Sequence, residues 1–243
     1  MSETQQTAMA RETAEIPAVA ERLLARDDLF AAIVERIDAI KPRVVVFCGR
    51  GSSGHAGVYL RYLFEARLGM LASASAPSVV TAYERPPDMR GVLFVVISQS
   101  GRSPDLVAAT QVARDVGALT LAIVNDEQSP AAAAAELILP IGAGREHAVA
   151  ATKTVVTSMI AGARLVAALA RDAELPAGGM LFVRSLAESN PVVGGGNARI
   201  TQTVTPLAGG VLTNERRAEL LFSADALTAM GLGQFSVWTS GGL

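Results

Sequence analysis

The sequence has little of what disulfide-rich, membrane-spanning and nucleic-acid-binding proteins usually need. Among its 243 residues only Cys48 is a cysteine, so no disulfide can form within the chain. The formal net charge is -2 and the isoelectric point is about 5.8, so no broad basic surface is available for nucleic acid. These shortages exclude a disulfide-stapled scaffold and disfavour nucleic acid as a partner.

Long apolar runs are also missing. The first twelve residues, MSETQQTAMARE, are polar and contain no apolar core of a signal peptide. No later run approaches the roughly 18 apolar residues of a membrane span. We therefore expect a cytoplasmic protein without a membrane partner. Cys48 lies inside an apolar run, which favours a buried, reduced thiol over a nucleophile.

What the sequence does have is a regular alternation of apolar strands and helical patterns. With 50% hydrophobic residues, it is long enough for one large or two small domains with a real core. The predicted strands are residues 44–48, 71–74, 92–97, 119–124 and 137–141. The predicted helices are residues 16–40 with a break at Asp27-Asp28, 55–68, 104–116, 130–135 and 148–171. This α/β alternation predicts a parallel sheet with helices on both faces, joined by right-handed crossovers.

The chain divides by character into three parts. We expect a flexible lead over residues 1–13, one α/β domain over residues 14–178 and an irregular C-terminal segment over residues 179–243. In the last part glycines are scattered and the periodicity is weak. Residues 218–230 have the pattern of a single helix, and the remainder has the composition of loop, short strand or disordered tail.

A hydroxyl-rich turn follows the central strand. Residues 92–97 are all apolar, and the sequence SQSGRS at residues 98–103 follows before Pro104 opens a helix. Backbone N–H groups and the positive end of a helix dipole favour an anion at such a turn, and serine hydroxyls add donors without fixed charge. The alternative is an ordinary helix start that Ser103 alone caps. The turn is therefore either an anion site or a helix cap.

A glycine-rich turn follows the first strand. Gly49, Gly51 and Gly54 match the GxGxxG pattern of dinucleotide-binding proteins, after a strand and before a helix. Such proteins also need a carboxylate at the end of the next strand, about 20 residues on, to hold the ribose. Residues 71–78 contain no acidic residue. A dinucleotide site stays an alternative, but two serine-rich turns at the carboxyl ends of one sheet fit a sugar phosphate better.

Five ordered segments resemble the sugar isomerase (SIS) domain family. They are MARETAEIPAVAER at 9–22, CGRGSSGHA at 48–56, SQSGRSPD at 98–105, VND at 124–126 and GREHAVAATKT at 144–154. The resemblance is to the first of the two SIS repeats in the isomerase half of glucosamine-6-phosphate synthase and to SIS-type glucosamine-6-phosphate deaminases. It covers residues of about 9–175. It implies a three-layer α/β/α sandwich with a five-stranded parallel sheet of flavodoxin-like type, and a homodimer.

The resemblance also implies binding roles by position. In the family, the second turn holds the phosphate of a hexose 6-phosphate. The matching positions here are Ser98, Gln99, Ser100 and Ser103. The first turn lines the sugar, as does the backbone near Val149, and the matching positions of that turn are Gly51, Ser52 and Ser53. The implied chemistry is deamination or aldose–ketose isomerisation of an amino-hexose phosphate, without a cofactor or a metal.

Three side chains are candidates for the acid or base that opens a sugar ring or moves a proton between C1 and C2: Glu146, His55 and His147. Each has a plainer alternative. The histidines lie near helix starts, where capping or surface roles are common, and Glu146 precedes a helix whose N-terminus favours a carboxylate. Lys153 either neutralises phosphate charge or extends along a helix surface. Arg102 either screens the anion or faces water.

Two features bear on the complete reaction. The chain begins Met-Ser and lacks the N-terminal cysteine of a glutamine amidotransferase, so we do not expect glutamine-driven synthesis by this chain alone. Two-domain relatives draw most acid/base residues from a second SIS repeat, which residues 179–243 do not resemble. We therefore expect a protein that binds a hexose 6-phosphate but deaminates or isomerises it poorly. A non-catalytic sugar-phosphate sensor and a dinucleotide-binding module are the alternatives.

Overall fold

A five-stranded parallel sheet forms the centre of the first part of the chain. A computed structural model of the protein describes residues 7–83, 85–149, 151–171, 198–201 and 219–222. The strands of the sheet are β1 (Val44–Cys48), β2 (Leu71–Ala74), β3 (Val92–Ser98), β4 (Leu119–Val124) and β5 (Leu137–Pro140). Their order across the sheet is β2-β1-β3-β4-β5, and every pairing is parallel. The sheet lies in the first of two units, Met1–Pro176 and Ala177–Leu243.

Helices cover both faces of this sheet. They are α1 (Ala8–Ala14), α2 (Ile16–Leu24), α3 (Asp27–Ile40), α4 (Ser52–Leu68), α5 (Pro77–Thr81), α6 (Pro104–Asp115), α7 (Pro130–Ala134) and α8 (Lys153–Ala170). Helices α4 and α8 pack on one face, and α6 and α7 pack on the other. The predicted α/β architecture, a three-layer sandwich with a five-stranded parallel sheet, is confirmed.

The two central strands are buried on both faces. All of β4 and all but the first residue of β3 are buried. Phe94 and Val96 pack in a cluster with the α6 residues Leu106 and Ala109, while Ile97 approaches helix α4 on the opposite face. Double-sided burial explains why residues 92–97 of β3 are all apolar and why β4 is apolar apart from the buried Thr120.

Helices α4 and α8 approach each other closely at Gly162. A side chain at this position would overlap the side chain of Leu60 on α4, so only glycine allows this spacing. Helix α8 is long and apolar enough to cross a membrane, with a mean hydropathy of 1.4 over 18 residues, although we expected no apolar run of that length. Because 61% of α8 is buried inside the protein, it is a core helix of the sandwich.

Four elements differ from the sequence prediction. Residues 8–13, which we expected to be flexible, belong to helix α1, and Glu12 is buried there. Helix α8 begins at Lys153 and not at residue 148. The short helix α5 was not predicted. In the second unit, β6 (Ala198–Thr201) pairs antiparallel with β7 (Glu219–Phe222), so the helix predicted over residues 218–230 is wrong for the part that the structure describes.

Candidate functional site

The two serine-rich turns lie side by side at the carboxyl edge of the sheet. Strands β1 and β3 are neighbours, although the chain passes through β2 between them. The strand order therefore reverses between β1 and β3, which is where ligands bind in open parallel sheets. An ion pair joins the turns, because Arg50 Nη1 lies 2.6 Å from Asp105 Oδ2. The first turn is thus attached to the start of helix α6.

The second turn carries hydroxyls whose oxygens already accept backbone hydrogen bonds. The N–H of Gly101 donates to Ser98 Oγ at 3.0 Å, and the N–H of Arg102 donates to Ser100 Oγ at 3.3 Å. Among the described residues, neither hydroxyl proton has an acceptor, so both remain for a ligand. Gln99 beside them is half-buried. The turn therefore offers neutral donors in a fixed arrangement.

Helix α6 begins without a side-chain cap. Ser103 occupies the N-cap position, but its hydroxyl accepts no hydrogen bond from the first turn of the helix. The alternative in which Ser103 alone caps the helix is therefore wrong. An uncapped N-terminus leaves N–H groups and the positive end of the dipole available to an anion.

Gly101 holds the second turn against the start of helix α7. Its φ is +63°, a conformation that side chains rarely adopt, and a Cβ here would overlap the Ser129 side chain. Its carbonyl accepts the N–H of Ala131 at 3.0 Å. The turn is thus braced from behind by a neighbouring helix, a contact that the local sequence did not reveal.

The first turn has a structural reason for its glycines. Gly51, with φ +53°, occupies the N-cap position of α4 without a side-chain capping bond. A Cβ at Gly49 would lie 3.0 Å from the backbone carbonyl carbon and oxygen of Ser53, so glycine permits the close approach of strand and helix. Ser52 and Ser53 are half-buried in the first turn of α4, on the side of the sheet edge where the second turn lies.

The β5–α8 loop, residues 141–152, lies at the same edge of the sheet as the two turns. Ala150 in this loop is outside the described residues. Asn125, just after β4, holds this loop through its amide, since Nδ2 donates to Gly144 O at 2.7 Å and Oδ1 accepts the Ala143 N–H at 2.8 Å. A pocket of about 530 Å³ lies between the two segments. Its lining residues are Asn125, Asp126, Glu127, Gln128, Gly144 and Arg145. Val149 projects from the loop and is 95% exposed.

The Glu146 side chain caps the N-terminus of helix α8. Its Oε1 accepts the N–H groups of Thr152 and Lys153 at 2.9 and 2.7 Å, and Oε2 accepts the Thr154 hydroxyl. This capping arrangement is the plainer of the two roles considered for Glu146. His55 and His147 are exposed. Catalysis by these three residues stays a prediction.

Two basic residues near the site are already paired. Arg102 Nη2 lies 3.1 Å from Asp126 Oδ2, so this arginine is held beside the pocket. Lys153 is 1% exposed, and its Nζ donates to Glu15 Oε2 at 2.6 Å and to the Arg145 carbonyl at 2.9 Å. The expectation that Lys153 extends along the helix surface is therefore wrong. Neither Arg102 nor Lys153 therefore offers an unpaired cation beside the second turn.

The only cysteine is not poised for catalysis. Burial, above all, raises the pKa of the Cys48 thiol to about 11, so the thiol stays protonated near neutral pH. Within the described ranges, no group of three or more His, Cys, Asp or Glu side chains could hold a metal ion.

Known proteins resemble this chain in sequence and in fold. A sequence profile of the SIS domain matches residues 40–168. The glutamine–fructose-6-phosphate aminotransferase (isomerizing) of Bartonella henselae is 34% identical over 158 residues, covering 63% of this chain and 25% of that protein. The chain therefore spans about a quarter of the length of the curated relatives it matches.

Solved structures show the same fold. A candidate phosphosugar isomerase from Silicibacter pomeroyi DSS-3 superposes with a TM-score of 0.72 at 39% identity, over 76% of this chain and 57% of that chain. The C-terminal domain of glucosamine-fructose-6-phosphate aminotransferase from Francisella tularensis has a TM-score of 0.64 at 21% identity, over 78% and 56%.

Proposed function

The chain belongs to the SIS domain family, and on that premise we propose that it binds a hexose 6-phosphate across its two serine-rich turns. The phosphate lies on the second turn, at Ser98, Gln99, Ser100 and Ser103. The sugar lies between the first turn, at Gly51, Ser52 and Ser53, and the loop that carries Val149. The ligand thus spans the point where the strand order reverses.

The second turn carries this proposal. Helix α6 has no side-chain cap, and the hydroxyl oxygens of Ser98 and Ser100 accept backbone N–H groups while their protons stay available. A phosphate needs several donors in a small space, and neutral donors at a helix N-terminus supply them. Asp105, the one nearby carboxylate in the first turn of α6, is neutralised by Arg50.

A sugar phosphate explains the site better than a dinucleotide. Strand β2 ends at Ala74 and continues with Ser75, so no carboxylate stands where a ribose would be held. The glycines of the GxGxxG pattern have another cause, because Gly49 allows strand β1 and helix α4 to approach. Binding of NAD by the protein would contradict this argument.

For the chemistry, we propose a reaction of the amino-hexose phosphate deaminase or isomerase type, with poor turnover by this chain. The candidates for acid/base catalysis are Glu146, His55 and His147. Glu146 accepts several hydrogen bonds at the start of α8, so it has little capacity left to take a proton from a sugar. The same observation favours a second candidate, a sensor that binds the sugar phosphate without converting it.

We also propose that the protein is cytoplasmic and forms a homodimer. Helix α8 is a core helix, and Cys48 is a buried, protonated thiol, as expected in a reducing compartment. The exposed side chains of Tyr62 on α4, Leu71 on the edge strand β2 and Tyr83 after α5 supply apolar surface that a second copy can cover.

Thermal unfolding with and without ligand tests the binding proposal. Glucosamine 6-phosphate or fructose 6-phosphate at 100 times its Kd should add about 2.7 kcal/mol to the free energy of unfolding. For a chain of this size that is a rise in Tm of roughly 5 to 11 °C. Glucosamine without phosphate and NAD are the controls and should leave Tm unchanged. If neither sugar phosphate moves Tm, the proposal is wrong.

A further inference from the structure

The β5–α8 loop presents Val149 to solvent, yet hydrogen bonds hold the backbone between residues 143 and 148 and again at residues 152 and 153. The Asn125 amide holds residues 143 and 144, and the buried ammonium of Lys153 binds the Arg145 carbonyl at 2.9 Å. Glu146 is engaged in capping α8. These hydrogen bonds give the loop a defined shape before any ligand binds, although its tip is apolar and exposed.

The hydrogen bonds nearest to Val149 come from Glu12, near the N-terminal end of the unit. Glu12, in helix α1, is 6% exposed, and its Oε1 accepts the His147 N–H at 2.6 Å. Its Oε2 accepts the Ala148 N–H at 3.0 Å, so one carboxylate holds two consecutive peptide groups. These partners are 135 and 136 residues apart in the sequence. Hydrogen bonds to an ionised acceptor are roughly twice as strong as neutral ones.

Glu12 is ionised in this arrangement. The hydrogen bond from the His147 N–H is the main cause that lowers the pKa of Glu12, while burial opposes it. The Ala148 N–H and the positive charge of Lys153 lower the pKa further. The contact therefore persists at neutral pH as a charge-assisted pair.

Two neighbours of Glu12 reinforce the same contact. Glu15 Oε2 lies 2.6 Å from Lys153 Nζ, and the Thr13 hydroxyl donates to the Thr152 hydroxyl at 3.3 Å. Residues 12–15 thus bind the loop before Val149, at residues 147 and 148, and after it, at residues 152 and 153. The short helix α1 supplies the carboxylate that fixes the loop backbone at residues 147 and 148.

We propose that Glu12 is a positioning residue, which holds residues 147–149 in the shape that receives the sugar part of the ligand. This inference rests on the proposed function. Glu12 is not a catalytic residue, because its two oxygens are occupied by backbone N–H groups and its carboxylate is buried. Its effect reaches the ligand through the loop, and the phosphate turn, on β3 and α6, does not depend on it.

The test is Glu12→Gln in the full chain. Glutamine has nearly the same size, but it puts an NH₂ group where one backbone N–H now finds an acceptor. The affinity for glucosamine 6-phosphate should fall by roughly 10- to 100-fold, as for other residues that hold a binding group in place. The affinity for inorganic phosphate, which occupies only the second turn, should not change. The matched control is Glu21→Gln on α2, an exposed carboxylate, and it should alter neither affinity.

Amide hydrogen exchange of residues 144–152 supplies the second readout. In Glu12→Gln the amides of His147 and Ala148 should exchange faster than in the parent. The positioning role would be overturned if the affinities for glucosamine 6-phosphate and inorganic phosphate fell equally. It would also be overturned if the affinity for glucosamine 6-phosphate did not fall. If the parent binds no sugar phosphate, the proposed function fails, and unchanged exchange in the variant would overturn the inference separately. Should Glu12→Gln not fold, Glu12→Asp, which keeps the charge on a shorter side chain, takes its place in both measurements.

Discussion

Alanine at both Ser98 and Ser100 tests the phosphate site most directly. Each change removes a hydroxyl that can donate to the anion, and a hydrogen bond to a charged group contributes about 1.5–3 kcal/mol. Two such bonds amount to roughly 3–6 kcal/mol, or a ~10²- to 10⁴-fold loss of affinity for glucosamine 6-phosphate. Isothermal titration calorimetry on the folded double variant measures this loss.

The same substitutions also disturb the turn itself. Ser98 Oγ accepts the Gly101 N–H, and Ser100 Oγ accepts the Arg102 N–H. A buried donor left without a partner costs about 1–3 kcal/mol, so the double variant should also unfold more easily. Circular dichroism before each titration ensures that the affinity is measured on folded protein.

Ser158→Ala is the matched control for this experiment. The Ser158 hydroxyl is buried in α8 and donates to the Thr154 carbonyl at 2.8 Å, so its hydrogen bond lies within the helix and belongs to neither turn. It should lower stability without lowering affinity. If the Ser98→Ala, Ser100→Ala protein binds glucosamine 6-phosphate as tightly as the parent, the reasoning is refuted and the site lies elsewhere.

Three further substitutions separate structure from chemistry. Gly101→Ala should lower the free energy of unfolding by about 2–5 kcal/mol, because the left-handed backbone and the overlap with Ser129 both oppose a side chain. Gly69→Ala, with φ +61° and open space around it, should lose only about 1–2 kcal/mol; equal losses in urea denaturation would contradict the overlap. Glu146→Gln should cost about 0.5–2 kcal/mol as a lost helix cap and leave binding of glucosamine 6-phosphate intact. Efficient ammonia release by the parent in a coupled assay, abolished by this change, would instead identify Glu146 as the base.

The strands and the turns were predictable because their causes are local. Residues 119–124 are apolar apart from the buried Thr120, and residues 92–97 are an unbroken apolar run, as expected for strands buried on both faces. The serine-rich turn ends the second of these runs, and Pro104 marks the start of the helix that follows. The sequence alone therefore predicts the sheet, its carboxyl edge and the position of the serine-rich turn.

The N-terminal helix and its partners were not predictable in the same way. A helix of seven residues, AMARETA, is marginal on its own, and nothing local indicates that Glu12 is buried. Its partners, His147 and Ala148, lie at the far end of the unit, as does Lys153, the partner of Glu15. These contacts depend on the folded chain. Because no local pattern indicates these contacts, the sequence predicted a flexible lead over residues 1–13. Residues 9–22 were nevertheless one of the segments that resemble the family.

The start of helix α8 shows the same limit at short range. Residues 148–152 continue the apolar pattern of the helix, so the pattern alone extends it too far. The helix begins at Lys153 because Glu146 reaches across the intervening residues to accept the N–H groups of Thr152 and Lys153. A cap supplied from six or seven residues upstream leaves no signature in the hydrophobic period.

The contact of Gly162 with Leu60 sets a dimension of the proposed ligand site, although both residues are buried in the core. Helix α4 begins at the first turn, and helix α8 begins directly after the β5–α8 loop. The distance between the two helices therefore fixes the distance between the walls that would enclose the sugar. Selection for a different ring size would then act on this helix pair as well as on the residues that touch the ligand.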